Sequence, residues 1–73
     1  MDATYITMRP IYPNIEVKIV GEDGNAFAIM GRVSKALRLA NVPEEEREEF
    51  LRECRNGNYN NLLRTCMKWV TVT

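Results

Sequence analysis

Apolar and polar positions along the first part of the chain follow patterns typical of strands. Residues 14–20 alternate apolar and polar side chains, and residues 3–8 mix aromatic and β-branched types. Pro10 and Pro13 lie between these segments and lack the backbone N–H that a central strand needs, so this part is predicted to be a loop. The pattern predicts an N-terminal antiparallel β-hairpin, which requires helices to cover its apolar face.

A helical period begins after this region. Residues 25–42 are predicted to form a first helix, with Asn25 capping its amino end. Its apolar stripe consists of Ala26, Ile29, Val33, Leu37 and Ala40, widened by Phe27 and Met30. We expect the ring of Phe27 to enter the core. Gly31, which is unfavourable inside a helix, is expected to mark a close approach to another backbone.

Two further helices follow. Pro43 is suited to the first position of a helix over residues 43–55, and Gly57 is suited to the left-handed turn that ends it. Asn58 can cap a third helix. The apolar stripe of that helix is Tyr59, Leu62, Leu63, Cys66, Met67 and Val70. Residues 69–73 are strand-like by type, and form either a third strand beside the hairpin or a frayed end.

The segment at residues 21–27 has two glycines and two acids at a strand-to-helix junction. It lacks the Gly-Lys-Ser/Thr of a phosphate-binding loop and the spaced acids of a calcium-binding loop. We interpret it as a structural turn, with Gly24 permitting the bend and Asn25 capping the helix. The elements together predict one α+β domain over residues 1–73, with the hairpin covered by two to three short helices.

Charge is balanced over the whole chain but not along it. The sequence has ten basic and ten acidic residues, and six of the acids are glutamates within residues 44–57. Most of an acidic helix face is ordinarily solvated surface. It can also bind a basic partner, since an array of carboxylates imitates a phosphate backbone. The candidate partner-binding residues are Glu45, Glu46, Glu49 and Glu53.

Basic residues on the first predicted helix offer a different surface. Arg32, Lys35 and Arg38 follow one another at spacings of three, so that neighbouring pairs can grip phosphates. With the donors of the helix amino end, they could hold a nucleotide between subunits of an oligomer. They could alternatively contact a nucleic acid, although three basic residues in a neutral protein are few.

Catalytic and metal-binding residue types are scarce. The sequence contains no histidine, which removes the commonest general base and metal ligand. Cys54 and Cys66 cannot complete a tetrahedral zinc site within one chain, and both lie on apolar helix faces, so we predict buried thiols. No catalytic residue, metal or cofactor is predicted, and we expect the protein not to be an enzyme.

The sequence shows no hydrophobic run of the roughly 18 residues that a membrane span needs. Its amino end, Met1-Asp2, does not begin a secretory signal pattern. We therefore expect a cytoplasmic protein with no membrane partner.

Residues 21–72 resemble a group of short, largely uncharacterised proteins encoded by bacteriophages, prophages and their bacterial hosts. The matching positions are Gly24, Asn25, Ala26, Phe27, Gly57, Tyr59, Leu62, Leu63, Trp69 and Val70. Where that group has Gly-Asp-Tyr, this chain has Gly57-Asn58-Tyr59, which keeps a capping side chain and loses a charge. The resemblance implies a phage or mobile-element origin and a place in the bacterial host's cytoplasm.

These observations lead to one expectation and two alternatives. We expect a non-enzymatic interaction protein that binds a host protein, such as a host-defence component, and inhibits or redirects it. One alternative is an oligomer that sequesters a small ligand or nucleotide. The other is an accessory protein that binds nucleic acid.

Overall fold

The computed structural model describes residues 10–19, 21–22 and 24–73. The elements in chain order are β1 (Tyr12–Val17), α1 (Ala26–Leu39), α2 (Glu44–Cys54), α3 (Tyr59–Trp69) and β2 (Val70–Val72). The predicted α+β class and the three predicted helices are confirmed. The short C-terminal strand is also present, and it follows α3 without a linker.

The sheet is parallel, so the predicted antiparallel hairpin is wrong for the strands that the structure describes. β1 pairs with β2, and the three helices form the connection between them. Parallel neighbours need such a crossover, because a tight turn cannot bring the chain back to the same end of the sheet. The predicted partner strand at residues 3–8 lies outside the described residues.

The register of the sheet is irregular near Pro13. Tyr12 pairs with Val70, and the next pair is Glu16 with Thr71, so the register shifts between them. Pro13 was expected in a loop but lies within β1, where its missing N–H interrupts the ladder. The hydroxyl of Thr71 donates to the carbonyl of Pro13 at 2.8 Å and joins the strands at this point.

Side chains and turns fix the helix ends. Asn25 Oδ1 accepts from the backbone N–H of Phe27 at 2.8 Å, and Asn58 Oδ1 accepts from the N–H of Asn61 at 3.0 Å. These bonds satisfy donors that the first helical turn leaves unpaired. α1 ends at Leu39, before the predicted residue 42, because the chain turns at Asn41, whose φ is 65°.

The core lies between the sheet and the helices and is centred on Trp69. Its ring stacks with Tyr12 at a centroid distance of 6.1 Å and meets Phe50 edge-on at 5.8 Å. Both arrangements are favoured by the aromatic quadrupole. The buried apolar residues are Val17, Ile29, Met30, Val33, Leu37, Val42, Phe50, Cys54, Leu62, Cys66, Trp69 and Val70.

No helix within the described parts of the chain is both long and apolar enough to cross a membrane.

Gly57 and Gly31 differ in the room that each leaves for a side chain. Gly57, after α2, has a φ of 121°, and a Cβ built on it would lie 3.1 Å from the Cβ of Asn61. A Cβ built on Gly31, inside α1, would have no neighbouring atom within 4 Å among the residues that the structure describes, so the expected close approach of a backbone is not found there.

We predict that Gly57→Ala lowers the free energy of unfolding by roughly 2 kcal/mol, because alanine rarely adopts a positive φ and would also crowd Asn61. The same change at Gly31 should raise it by about 1 kcal/mol through helix propensity. Urea unfolding of the two variants measures both effects. Equal effects at the two sites would contradict the assigned turn.

Candidate functional site

The acidic candidates on α2 do not form one free surface. The hydroxyl of Tyr12 donates to Glu46 Oε1, which ties β1 to α2. That hydrogen bond, followed by burial, raises the pKa of the Tyr12 hydroxyl above its ordinary value. Glu53 Oε1 accepts from Trp69 Nε1 at 3.1 Å and from Lys68 Nζ at 3.2 Å. Glu46 and Glu53 are therefore engaged within the fold.

The other two acidic candidates face solvent. Glu45 is exposed, and exposed Glu49 lies 3.8 Å from Arg52 one turn later. An ion pair of this kind contributes little to stability and leaves Glu49 accessible. With exposed Glu44 and Glu48, these residues make the outer face of α2 acidic. That this face binds a partner stays a prediction.

The basic candidates on α1 are only partly accessible. Arg32 lies 3.8 Å from Glu22, whereas Lys35 and Arg38 are exposed. The first N–H groups of α1, at Phe27 and Ala28, already donate to Asn25 Oδ1. The helix end and Arg32 thus have partners within the chain, which makes them a weaker phosphate site than the sequence suggests.

A third surface lies where the amino ends of α1 and α3 meet the carboxyl end of α2. A groove of about 290 Å³ opens there. We call it the aromatic groove, and its main lining residues are Phe27, Met30, Cys54, Arg55, Tyr59 and Leu62. Phe27 is 78% exposed and Tyr59 is 46% exposed. Large exposed apolar side chains that lie together are typical of binding surfaces.

Tyr59 joins the aromatic groove to a second hollow of about 290 Å³ beside the sheet. That hollow is lined by Leu63 and Met67 from α3 and by Val72 from β2, among others. Met67 is 52% exposed. Since Tyr59, Leu63 and Met67 recur every four residues, they form one stripe along α3. The hydroxyl of Tyr59 donates to the carbonyl of Gly24 at 2.7 Å, which holds the ring between the two hollows.

The exposure of Phe27 corrects the expectation that its ring enters the core. Phe27 is the second residue of α1, and helical side chains tilt toward the amino end of their helix. Its ring therefore extends past the start of the helix rather than onto the core beneath. The sequence feature that could have indicated this exposure was the position of Phe27 in the first turn of the helix. There it lies at the edge of the apolar stripe, and no preceding turn packs against it.

The two cysteines are free, buried thiols on neighbouring helices. The neighbouring Cys66 thiol as a hydrogen-bond partner, followed by burial, raises the pKa of the Cys54 thiol. Among the described residues, no group of three or more cysteine, aspartate or glutamate side chains is arranged to hold a metal ion.

We compared the chain with protein-family models, with curated proteins and with solved structures, and nothing matches it. The aromatic groove is accordingly identified by its own geometry, namely an exposed aromatic pair on two capped helices. The arrangement suits binding of an apolar group, and exposed Arg55 in the lining can contact a negative charge.

We predict that Glu53→Ala lowers the free energy of unfolding by about 1–3 kcal/mol, because it leaves the buried indole N–H of Trp69 without an acceptor. Glu53→Gln keeps an acceptor and should cost less. Glu45→Ala, at an exposed position of the same helix, should change stability by less than about 0.5 kcal/mol. Denaturant unfolding followed by circular dichroism tests the series, and equal effects at Glu53 and Glu45 would refute an internal role for Glu53.

Proposed function

We propose that this chain is a non-enzymatic interaction protein of phage type, which binds a host protein and inhibits or redirects it. The aromatic groove is the surface that makes the contact. The observation that carries the proposal is the exposure of Phe27 beside Tyr59, in a chain short enough to need most of its aromatic residues for its core.

The composition of the surface supports a protein partner. Tyrosine, phenylalanine, methionine and arginine are the residue types enriched in the buried centres of protein interfaces. Phe27 and Tyr59 supply exposed apolar area in the groove, Met67 supplies it in the adjoining hollow, and Arg55 is among the groove's lining residues. A few such residues commonly account for most of the binding free energy.

The scaffold fixes the backbone turns that carry Phe27 and Tyr59, and it also fixes the Tyr59 ring. Asn25 caps the turn that carries Phe27, Asn58 caps the turn that carries Tyr59, and the Tyr59 hydroxyl is bonded to Gly24. A surface that is ordered in advance loses less conformational entropy on binding. The groove is thus suited to specific capture of one partner.

The chemistry of the partner follows from the groove. Its volume of about 290 Å³ suits one or two apolar side chains, such as those of an amphipathic helix. Arg55 forms no ion pair with the other described residues and is exposed, so a carboxylate beside the partner's apolar group would complement it. We therefore propose a partner segment that is apolar with a flanking acid.

We predict that Phe27→Ser weakens capture of the partner from bacterial lysate by about 30-fold, the loss that a hot-spot contact of about 2 kcal/mol gives. Leu39→Ser is the matched control, since Leu39 is 69% exposed on the same helix and does not line the groove. It should leave capture unchanged. Immobilised wild-type and variant chains, with the bound protein identified and titrated, provide the comparison.

A second pair of changes tests the acidic outer face of α2. Glu45→Lys with Glu49→Lys reverses two exposed charges and spares Glu46 and Glu53, which have internal partners. Under the proposal this variant binds nearly as well as wild type. If the double lysine variant lost capture while Phe27→Ser bound fully, the binding site would be the acidic face instead of the aromatic groove. Equal binding by every variant, or capture of no partner, would contradict the proposed function.

A further inference from the structure

β1 has one edge that no described strand covers, since the described sheet contains only β1 and β2. The carbonyl of Val17 accepts from the N–H of Thr73 at 3.0 Å, and the N–H of Ile19 donates to the carbonyl of Thr73 at 2.9 Å. Backbone groups of successive strand residues point to opposite sides. Those of Glu16 and Lys18 therefore point away from β2, where none of the described residues bonds to them.

The segment along this edge is symmetric about Val17. Ile15 and Ile19 lie two residues to either side of it, and all three side chains belong to the core or pack against it. Glu16 and Lys18 are its immediate neighbours, and they are exposed and oppositely charged. If a second copy of the segment ran antiparallel to the first, centred on Val17, apolar residues would lie opposite apolar ones and each acid opposite a base.

We propose that β1 pairs in this way with β1 of a second copy of the chain, so that two sheets join into one across a two-fold axis at Val17. The surface is the outer edge of β1, whereas the aromatic groove is lined by residues of the helices and their turns. The inference therefore does not depend on the function proposed for the groove.

The backbone and the side chains require the same register. In antiparallel strands, opposite residues alternate between pairs that exchange hydrogen bonds and pairs that do not. Glu16 opposite the partner's Lys18 is a bonded pair, because both residues have outward backbone groups. Val17 opposite the partner's Val17 is then a non-bonded pair, which fits a residue whose backbone groups already face β2.

The charges exclude the neighbouring registers. Neither Glu16 nor Lys18 forms an ion pair with another described residue, so both are available to a second copy. Opposite charges directly across a sheet stabilise it, and like charges destabilise it. A slip of two residues would set Glu16 or Lys18 opposite its own counterpart. A slip of one would set Val17 opposite a charged residue.

The edge lacks the features that keep strands apart. Protected edges commonly carry an unmatched lysine or a proline. Lys18 is matched by Glu16, two residues earlier on the same face of the strand. Pro13 lies within β1 but outside residues 15–19, so it limits the length of the pairing without interrupting the symmetric segment.

Sedimentation equilibrium of the wild-type chain over a dilution series at low salt tests the proposal, and we expect a reversible monomer–dimer equilibrium. Lys18→Glu and Glu16→Lys should each raise the dimer Kd by about tenfold or more, because both place like charges opposite one another. The double variant, which exchanges the two residues, should restore the wild-type Kd. Glu48→Lys is the matched control, since it makes the same charge change at an exposed position of α2 and should leave the Kd unchanged.

Two further measurements identify the contact. An equimolar mixture of Lys18→Glu and Glu16→Lys should form a mixed dimer, seen by native mass spectrometry with one variant isotope-labelled, that is tighter than either variant alone. Hydrogen exchange at the amides of Glu16 and Lys18 should slow as the wild-type dimer forms. Circular dichroism checks that every variant is folded.

A wild-type chain that stays monomeric at every concentration would overturn the proposal. So would a dimer whose Kd is the same in both single variants, or a failure of the exchange variant and of the mixture to restore pairing. A monomer whose Glu16 and Lys18 amides are already protected would also overturn it, and would favour the strand predicted at residues 3–8 as the occupant of this edge.

Discussion

The contacts of the Trp69 indole join β1 and α2 to the end of α3. Trp69 is the last residue of α3, and β2 begins at the next residue. Its ring stacks on Tyr12 of β1 and meets Phe50 of α2, and its N–H donates to Glu53. One side chain therefore links the sheet to two helices. A chain of 73 residues can bury only a modest core, so a single contact of this size carries a large share of its stability.

The proposed binding surface depends on the same packing. Fixing the end of α3 against α2 also fixes the start of α3, where Asn58 caps the helix and Tyr59 borders the aromatic groove. Cys54 of α2 and Cys66 of α3 are both buried in the same core. The fold tolerates the exposure of Phe27 and Tyr59 because Trp69, Phe50 and Tyr12 supply the aromatic packing of the core. Structure and proposed function thus use different aromatic residues.

Local patterns predicted the helices well and the sheet poorly. The apolar periodicity of α1, α2 and α3 depends on residues that are close in the sequence, and so do helix caps such as Asn25 and Asn58. Each could therefore be inferred without knowledge of the fold. The pairing of β1 with β2 joins residues separated by three helices, and no local pattern specifies it. The aromatic groove was missed for the same reason, because Phe27 and Tyr59 come from different helices. The number of free carboxylates on α2 was overestimated, because the residues that donate to Glu46 and Glu53 are distant from them in the sequence.

The central claim is that the Trp69 indole is locked in the core by its bond to Glu53. Because the chain has one tryptophan, its indole N–H gives a single resolved NMR signal. Hydrogen exchange of that proton under native conditions tests the claim directly. The account predicts exchange as slow as that of the most protected backbone amides, which open only on global unfolding. Exchange at the rate of an exposed indole in the folded protein would contradict it.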